Sequence, residues 1–569
     1  MKILGINHDM FITPAAIIED GKVIAAIAEE RLTREKRSRK FPINSINYCL
    51  SEAGCSLDDI DYIANAYNPA AHFEKFHPIF SNNRRFRSDY LYSVPDNLFR
   101  LLGDDEKEND YIKQTIKLKN KEMEIYFIRH HLCHAANGFY LSPFKDAAIL
   151  TADGRGELDC ATYSVGNSNS IELLKSMQIP HSLGSFYSTF TSFFGFRPNS
   201  DEWKVMALSS FTSPNNKYYK ILEEIVSLKA DGTFELDLNY FKEYNTETQN
   251  YYTQAFIDAF GPPKKYGDSI TKRDYDIASA MQKMTENILS HMINWLHKQT
   301  KLDNLVVNGG SFMNSVYNGK IIDKTNFNNV FISSCPDDSG LSLGSAFYLY
   351  NHILNKKKRN LQTHNFYGPK YSNDVIKETL EKYCINYTFD KNIDDFTSKQ
   401  LIEGKLIGWF QGKMEFGQRA LGHRSILADP RDPNMKDKIN SAIKYRESFR
   451  PFAPAILENM ASEYFEIPNG ETVPFMEKVY MIKEDKRNLI PSVTHADGSG
   501  RIQSVSKKYN PIFYSLINSF YKETGVPVLL NTSFNINGEP IVCSPTDAIK
   551  TFFSCGLDIL ILGNYIVTK

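Results

Sequence analysis

The chain has 569 residues, 42% of them apolar and 23% charged, which is enough for more than one hydrophobic core. Its 66 Lys and Arg against 67 Asp and Glu leave a formal net charge of −1, so wholesale nucleic-acid or anionic-membrane binding has no electrostatic footprint. With 31 Gly and 24 Pro spread through the chain, collagen-like and low-complexity architectures are excluded as well.

The opening reads as three short strands, Lys2 to Asn7, Ala15 to Glu19 and Val23 to Ala28. The last two are joined by Asp20-Gly21, residue types that suit a tight hairpin turn. The pattern recurs at Ala147 to Thr151, Cys160 to Ser164 and Ile171 to Ser176, with a turn expected at Gly166-Asn167. Two such units predict an internally duplicated α/β fold with a cleft between its halves. From Asp274 to Thr300, apolar residues at Ile277, Met281, Met284, Ile288, Met292 and Trp295 mark one face of a helix. A strand at Leu305 to Val307 leads through Asn308-Gly309-Gly310-Ser311 to a helix expected from Phe312. The charge run Lys356-Lys357-Lys358-Arg359 reads as a solvated linker, taken over 356–371, between a domain at 1–355 and a second α/β domain at 372–569. The second domain opens with a helix at Asp374 to Tyr383 and a strand at Leu406 to Phe410, and it ends near a buried strand at Ile559 to Leu562. The eight cysteines include no Cys-x-x-Cys pair, as expected of free thiols in a reducing compartment. No apolar run reaches the roughly 18 residues of a membrane span, and the N-terminus turns polar too early for a signal peptide. The expected setting is the cytoplasm.

The strongest local chemical signal is Arg129-His130-His131-Leu132-Cys133-His134. On a helix, His130 and His134 project from one face as two ligands of one metal must. The general-base Glu that a zincin carries after its first His is here His131, which argues against a metalloprotease. The competing reading is two surface or capping histidines. Asp153 ends an apolar strand beside glycines, and Asp338 follows the β-rich run Val330 to Ser333. Either could be a turn residue bonding its own backbone, but acids so placed also suit a metal or phosphate ligand. A two-His, two-Asp site would suit ferrous iron, zinc or manganese. Glycines at 309 and 310 would let a nucleotide approach the backbone, although a tight structural turn explains them equally well. In the second domain Lys413, Arg419, Arg424, Lys444, Arg446 and Arg450 lie among Gly417, Gly422, Ser425 and Pro451. These cations suit phosphate or carboxylate groups, or else pair with acids on a surface helix between Asp429 and Glu447. Arg501 follows Asp497-Gly498-Ser499-Gly500, read as flexible, and Asn531 to Asn535 follow a strand at Val526 to Leu530 as a polar turn.

Together these motifs resemble the O-carbamoyltransferase family of the NodU/CmcH type, over nearly the whole chain. The resemblance rests on Leu4 to Asn7, Glu29 to Arg34, His130 to Ala136 and Asp153 to Glu157. Further on it includes Phe416 to Leu427, Arg446 to Phe452 and Leu530 to Asn535. It implies a duplicated actin-like ATPase fold followed by a domain similar to YrdC. The YrdC-like domain would activate carbamoyl phosphate with ATP and magnesium as carbamoyl adenylate. The first domain would then carbamoylate a hydroxyl of a small molecule or sugar in natural-product or surface-glycan biosynthesis. The resemblance places iron on His130, His134, Asp153 and Asp338, and a nucleotide on Gly309, Gly310 and Asn314. It places carbamoyl phosphate and ATP on Arg419, Lys444, Arg450, Arg501 and Ser533, with Arg419 and Lys444 taking part in catalysis. Many relatives set His-Asp directly before the small residues of the second strand, whereas here Met10 to Pro14 intervene. His8 is the residue that would act as base for the acceptor hydroxyl, an imidazole being suited to that near pH 7. A tRNA threonylcarbamoyl transferase and an actin-like sugar kinase are the alternatives. The first would be expected to carry a strongly basic face, and the second leaves the cations of the second domain unused. The expected partners are carbamoyl phosphate, ATP and the acceptor, with no nucleic acid and no membrane, and a homodimer is compatible with this reading.

Overall fold

The computed structural model describes residues 1–8, 12–68, 110–118, 121–242, 251–444, 447, 449–468 and 470–569. Met10 and Arg446, both named in the sequence reading, lie outside them, as do Asp9 and Ser448. The chain packs as two units. The first comprises Met1–Ala26, Arg39–Asn314 and Lys320–Leu361, and the second Ile27–Ser38, Ser315–Gly319 and Gln362–Lys569.

The first unit carries two sheets of one design. In the first the strand order is Lys22–Ala28, Pro14–Glu19, Lys2–Ile6, Tyr62–Asn65 and Glu122–Ile128, with Tyr111–Lys117 added at the edge. In the second it is Ser170–Gln178, Asp159–Asn167, Asp146–Ala152, Asn304–Asn308 and Asn329–Ile332. In each, the central strand (Lys2–Ile6 or Asp146–Ala152) is antiparallel to the next strand in the chain and parallel to the one on its other side. The last strand of the shared order continues the parallel direction. This repeat is the duplicated α/β fold that the two hairpin patterns predict. Asp20 and Gly21 both take positive φ in the first hairpin, the backbone a tight turn demands. In the second copy the strand runs on through Gly166 and Asn167, and the turn falls at Ser168 and Asn169. There Gly166 and Asn167 remain paired with the strands on both sides.

Two helices lie at the centre of this unit. Helix His130–Phe139 follows the last parallel strand of the first half and packs on the second sheet, while Leu341–Phe347 follows the last strand of the second half and packs on the first. They touch each other through Gly344. A Cβ there would stand 2.0 Å from the Cys133 carbonyl oxygen, so only glycine allows this approach. The long helix Lys272–Thr300 buries Ile277, Met281, Met284, Ile288 and Met292 as expected, with Trp295 at its margin. Its start is set by a capping box between Thr271 and Asp274. The helix expected from Phe312 is instead a single 3-10 turn, Gly310–Met313, and a short helix, Ser315–Asn318. The charge run is only half a solvated linker. Lys356 to Lys358 are exposed, but Arg359 turns inward, donating to the Phe144 carbonyl at 2.5 Å and to those of Phe139 and Ser142 while lying over the Phe139 ring.

The second unit is built on an eight-stranded sheet. Its order is Thr388–Phe389, Tyr565–Thr568, Ile559–Leu562, Ile407–Phe410, Arg424–Ala428, Val528–Ser533, Ala453–Leu457 and Gln503–Val505. A core including Trp409, Leu427, Ile456, Phe513 and Leu530 covers it. Asn531 to Ser533, read as a turn from their polarity, are the end of a strand. The Asn531 side-chain nitrogen donates there to the Ala420 carbonyl and the Gln503 side chain. Ser499 and Gly500, read as part of a flexible segment, are likewise in a short strand, Ser499–Arg501, paired with Val479–Met481. All eight cysteines are free. Among the described residues no helix is long and apolar enough to cross a membrane.

Gly344→Ala is expected to destabilise the protein by about 1–3 kcal/mol, the usual cost of forcing a methyl into a filled contact. The shift in denaturant midpoint at unchanged slope measures it.

Candidate functional site

His130 and His134 share one face of their helix and are fully buried, with their Nε2 atoms 3.0 Å apart. Asp153 directly follows the central strand of the second sheet. Its Oδ2 lies 3.4 Å from His130 Nε2 and 3.1 Å from His134 Nε2. Asp338 opens the turn that leads into helix Leu341–Phe347, and its Oδ1 stands 3.6 Å from both imidazole nitrogens. All four ligand atoms fall within 4.8 Å of one another. The helix with its i, i+4 histidines and the two strand-end acids therefore meet at one point, as the sequence reading has them.

The electrostatics of this cluster require a positive charge at its centre. Burial opposes protonation of His134, but hydrogen bonds and charge from Asp153 and Asp338 outweigh it and raise its pKa to about 9. Burial likewise works to lift the Asp153 pKa, yet the bonds from His130 and His134 hold that carboxyl well below the usual carboxylate range. Two nitrogen and two oxygen donors aimed at one point fit a first-row divalent cation such as ferrous iron, zinc or manganese. In a metal-free cluster, a proton on His134 would occupy that role.

The surrounding groups fix this geometry, and sequence reading assigned several of them no part in it. Helix His130–Phe139 has no side-chain cap of its own. Glu157 provides one, accepting the His130 N–H at 3.0 Å and the Asn68 N–H at 2.7 Å. His131 is structural. Burial, then repulsion from its two histidine neighbours, lowers its pKa well below the ordinary value, and both ring nitrogens are engaged, by Thr151 Oγ1 at 2.7 Å and the Asp159 carbonyl at 3.0 Å. Asn137 donates to Ser333 Oγ and to the Cys335 carbonyl, tying the helix to the loop that carries Asp338. Its place nearly one turn beyond His134 was the available signal.

Gly309 takes φ +101, and a Cβ there would lie 2.3 Å from the Ala152 carbonyl oxygen, while one on Gly310 would lie 2.6 Å from Asp153 Oδ1. The two-glycine turn thus passes directly against the metal-cluster strand. Asn314 exchanges two amide hydrogen bonds with Gln282, at 2.9 and 3.2 Å. His8 follows the first strand, its ring 5.7 Å from that of Phe41. The neighbouring Asn7 amide reaches the Asp338 carbonyl at 3.5 Å.

In the second unit, strand register gathers the proposed anion ligands. Ser533 pairs with Ser425, Asn531 with Ala453, and Ala455 with Gln503. The segments carrying Arg450, Arg501, Ser533 and the loop of Arg419 therefore all arrive at one end of the sheet. Lys444 joins them there. Its ammonium is buried and donates to the Ser533 carbonyl at 2.7 Å, the Asn535 carbonyl at 2.7 Å and Asn535 Oδ1 at 3.0 Å. Arg450 bonds Glu447 at 3.1 Å. Arg424 is a framework residue instead, wholly buried over the Phe410 ring and donating to the carbonyls of Gln411 and Pro369.

Two family descriptions match the chain. The family description "Carbamoyltransferase N-terminus" matches residues 2–347 and "Carbamoyltransferase C-terminus" matches residues 398–569. The chain belongs to the carbamoyltransferase family and is an enzyme that transfers carbamoyl groups. An uncharacterized protein of Synechocystis sp. is 36% identical, over 100% of this chain and 96% of its own. Nodulation protein NolNO of Sinorhizobium fredii is 35% identical, over 98% and 78%. The 3'-hydroxymethylcephem-O-carbamoyltransferase of Amycolatopsis lactamdurans is 25% identical, over 79% and 82%.

Cation binding at the four-residue cluster should expel the His134 proton. Apparent affinity of chelator-stripped protein for ferrous iron or zinc is therefore expected to climb from pH 6.5 to about 9 and then level off. Metal titrations at a series of pH values check this. His134→Ala should lose the bound metal, and full occupancy by elemental analysis in that variant would remove His134 from the ligand set.

Proposed function

We propose that the chain is an ATP-dependent O-carbamoyltransferase. The second unit, in the manner of a YrdC-like domain, would form carbamoyl adenylate: water releases phosphate from carbamoyl phosphate, and the resulting carbamate oxygen attacks the α-phosphorus of ATP with loss of pyrophosphate. The first would pass the carbamoyl group to a hydroxyl of a small-molecule or sugar acceptor. The observation that carries this reading is one chain holding two opposite kinds of site. In one unit, two buried imidazoles and two half-buried acids converge on a single point. In the other, cations converge on one end of a sheet. Among the relatives, one bears the name of an O-carbamoyltransferase.

The chemistry asks for such a division. Adenylation brings together the phosphates of carbamoyl phosphate and ATP, which repel each other until cations offset their charge. Arg419, Arg450 and Arg501 would supply this positive field, together with Lys444. The three acceptors already on the Lys444 ammonium make it an anchor of the Ser533–Asn535 turn as well as a charge. In the transfer step the acceptor oxygen attacks the carbamoyl carbon, the bond from that carbon to the adenylate phosphate oxygen breaks, and AMP leaves. His8 would take the hydroxyl proton. His130, His134, Asp153 and Asp338 would hold a divalent metal, which when bound supplies Lewis-acid and templating chemistry for phosphate oxygens. Gly309 and Gly310 would let a nucleotide approach the backbone beside Asp153, with Asn314 as a further contact.

The two half-reactions should separate by mutation. Lys444→Ala is expected to lower carbamoyl-phosphate-dependent ATP–pyrophosphate exchange by roughly 100- to 1,000-fold, the scale of losing one preorganised charge contact. His134→Ala should keep exchange and lose transfer. The reverse pattern would mean the units are assigned the wrong way round, and exchange without any need for carbamoyl phosphate would reject the reading altogether. His8→Asn should slow transfer about 100- to 10,000-fold while leaving exchange alone, and normal transfer would give the base role to another group.

A further inference from the structure

Helix Glu29–Thr33 comes early in the sequence, yet by packing it belongs to the second unit. Glu29, Glu30 and Arg31 are buried. Arg31 donates through Nη1 to Glu30 Oε1 at 2.6 Å, which holds its guanidinium flat and leaves Nη2 to reach the Gly417 carbonyl at 3.0 Å. Glu30 Oε2 accepts the Arg37 N–H at 2.8 Å and so fastens the segment where it leaves the helix. Arg34 closes the helix in the left-handed conformation, φ 62. Its fork donates to the carbonyls of Ile541 and Pro540 at 2.5 and 2.7 Å, with Nε 3.6 Å from Asp547.

Three residues apart, Arg31 and Arg34 fall on the same side of a helical turn, and each grips main-chain carbonyls of a different loop. Gly417 leads directly into Gln418 and Arg419. Ile541 leads into Val542, whose N–H bonds the Phe534 carbonyl at 2.9 Å, and Asn535 Nδ2 bonds the Glu539 carbonyl at 2.7 Å. Phe534 stands between Ser533 and Asn535, the two residues that hold the Lys444 ammonium. The short helix therefore ties together two loops, one carrying Arg419 and the other holding the Lys444 ammonium, without itself offering a ligand. A planar guanidinium donating to several acceptors is suited to this, because it sets direction as well as distance.

We propose that Arg31 and Arg34 are positioning residues for carbamoyl-phosphate and ATP binding, forming a clasp that sets the separation of the Arg419 loop from the Ser533–Asn535 turn. The inference rests on reading the second unit as the activating one. The test compares full-length Arg31→Ala, Arg31→Lys, Arg34→Ala, Arg419→Ala and the Arg31→Ala/Arg419→Ala double variant in the exchange assay, with carbamoyl phosphate varied. Arg31→Ala is expected to lose about 100-fold in kcat/KM, the scale of a small misplacement of a binding group. Arg31→Lys should recover only part of this, since one ammonium lacks the planar fork that serves Glu30 and Gly417 together. The double variant should be no worse than Arg419→Ala alone, because Arg31 acts through that loop. Hydrogen exchange of the 415–421 amides should quicken in Arg31→Ala. Where Arg31→Ala fails to fold, Arg34→Ala carries the same comparison against Ser533→Ala. Losses that add in full, or normal kcat/KM in Arg31→Ala and Arg34→Ala while Arg419→Ala is disabled, would overturn the clasp alone. Normal exchange in Arg419→Ala would overturn the reading of the unit and the clasp with it.

Discussion

The close crossing of two helices in the first unit is the constraint on which its site depends. Gly344 rests on the main chain at Cys133, one residue before His134, so the helix behind Asp338 is set against the helix bearing both histidines. Asn137 then ties that histidine helix to the loop before Asp338 through Ser333 and Cys335. Asp153 is added by the strand on which the histidine helix packs. The four side chains come from three places in the sequence, and what brings them close together is backbone packing rather than attraction among them. Attraction would be a poor organiser here, because two neighbouring half-buried carboxylates repel unless a cation or a proton lies between them.

The second unit handles buried charge in the opposite way. Arg424 and Lys444 spend donors on main-chain carbonyls, and so does Arg31 alongside its bond to Glu30. Arg359 in the first unit does the same at Phe139 and Phe144. A carbonyl satisfies the hydrogen-bonding demand of a cation and fixes its position, but it does not cancel its charge as a carboxylate would. A framework built this way keeps a positive field at the end of the sheet where Arg419, Arg450 and Arg501 arrive. That field suits anionic phosphates, whereas the acid-rich cluster of the first unit suits a metal cation. Each half of the proposed reaction thus has a site of matching sign.

Much of this was legible in the sequence, for physical reasons that can be traced. Short apolar runs separated by turn residues marked both copies of the strand pattern, because the first two strands of each copy are buried along nearly their whole length. The i, i+4 histidines and the strand-end acids were visible because helical and strand geometry are local. The misreadings share a cause. Asn531 to Ser533 and Ser499 and Gly500 looked like loops from their polarity, but partner strands far away in the chain satisfy their backbone and side chains. Arg359 looked solvated within a run of lysines, yet carbonyl groups far away in sequence draw it inward.

The residues themselves determined the duplicated α/β halves, the two histidines on one helical face and the stock of cations in the second half. Only the tertiary structure decided that both acids meet those histidines, that Glu157 caps their helix and that register brings the cations to one end of a sheet. It alone placed Glu29 to Arg34 in the second unit, behind two loops hundreds of residues away. Such relations rest on contacts between segments distant along the chain. Local periodicity carries no record of them, because they form only when whole sheets and helices pack.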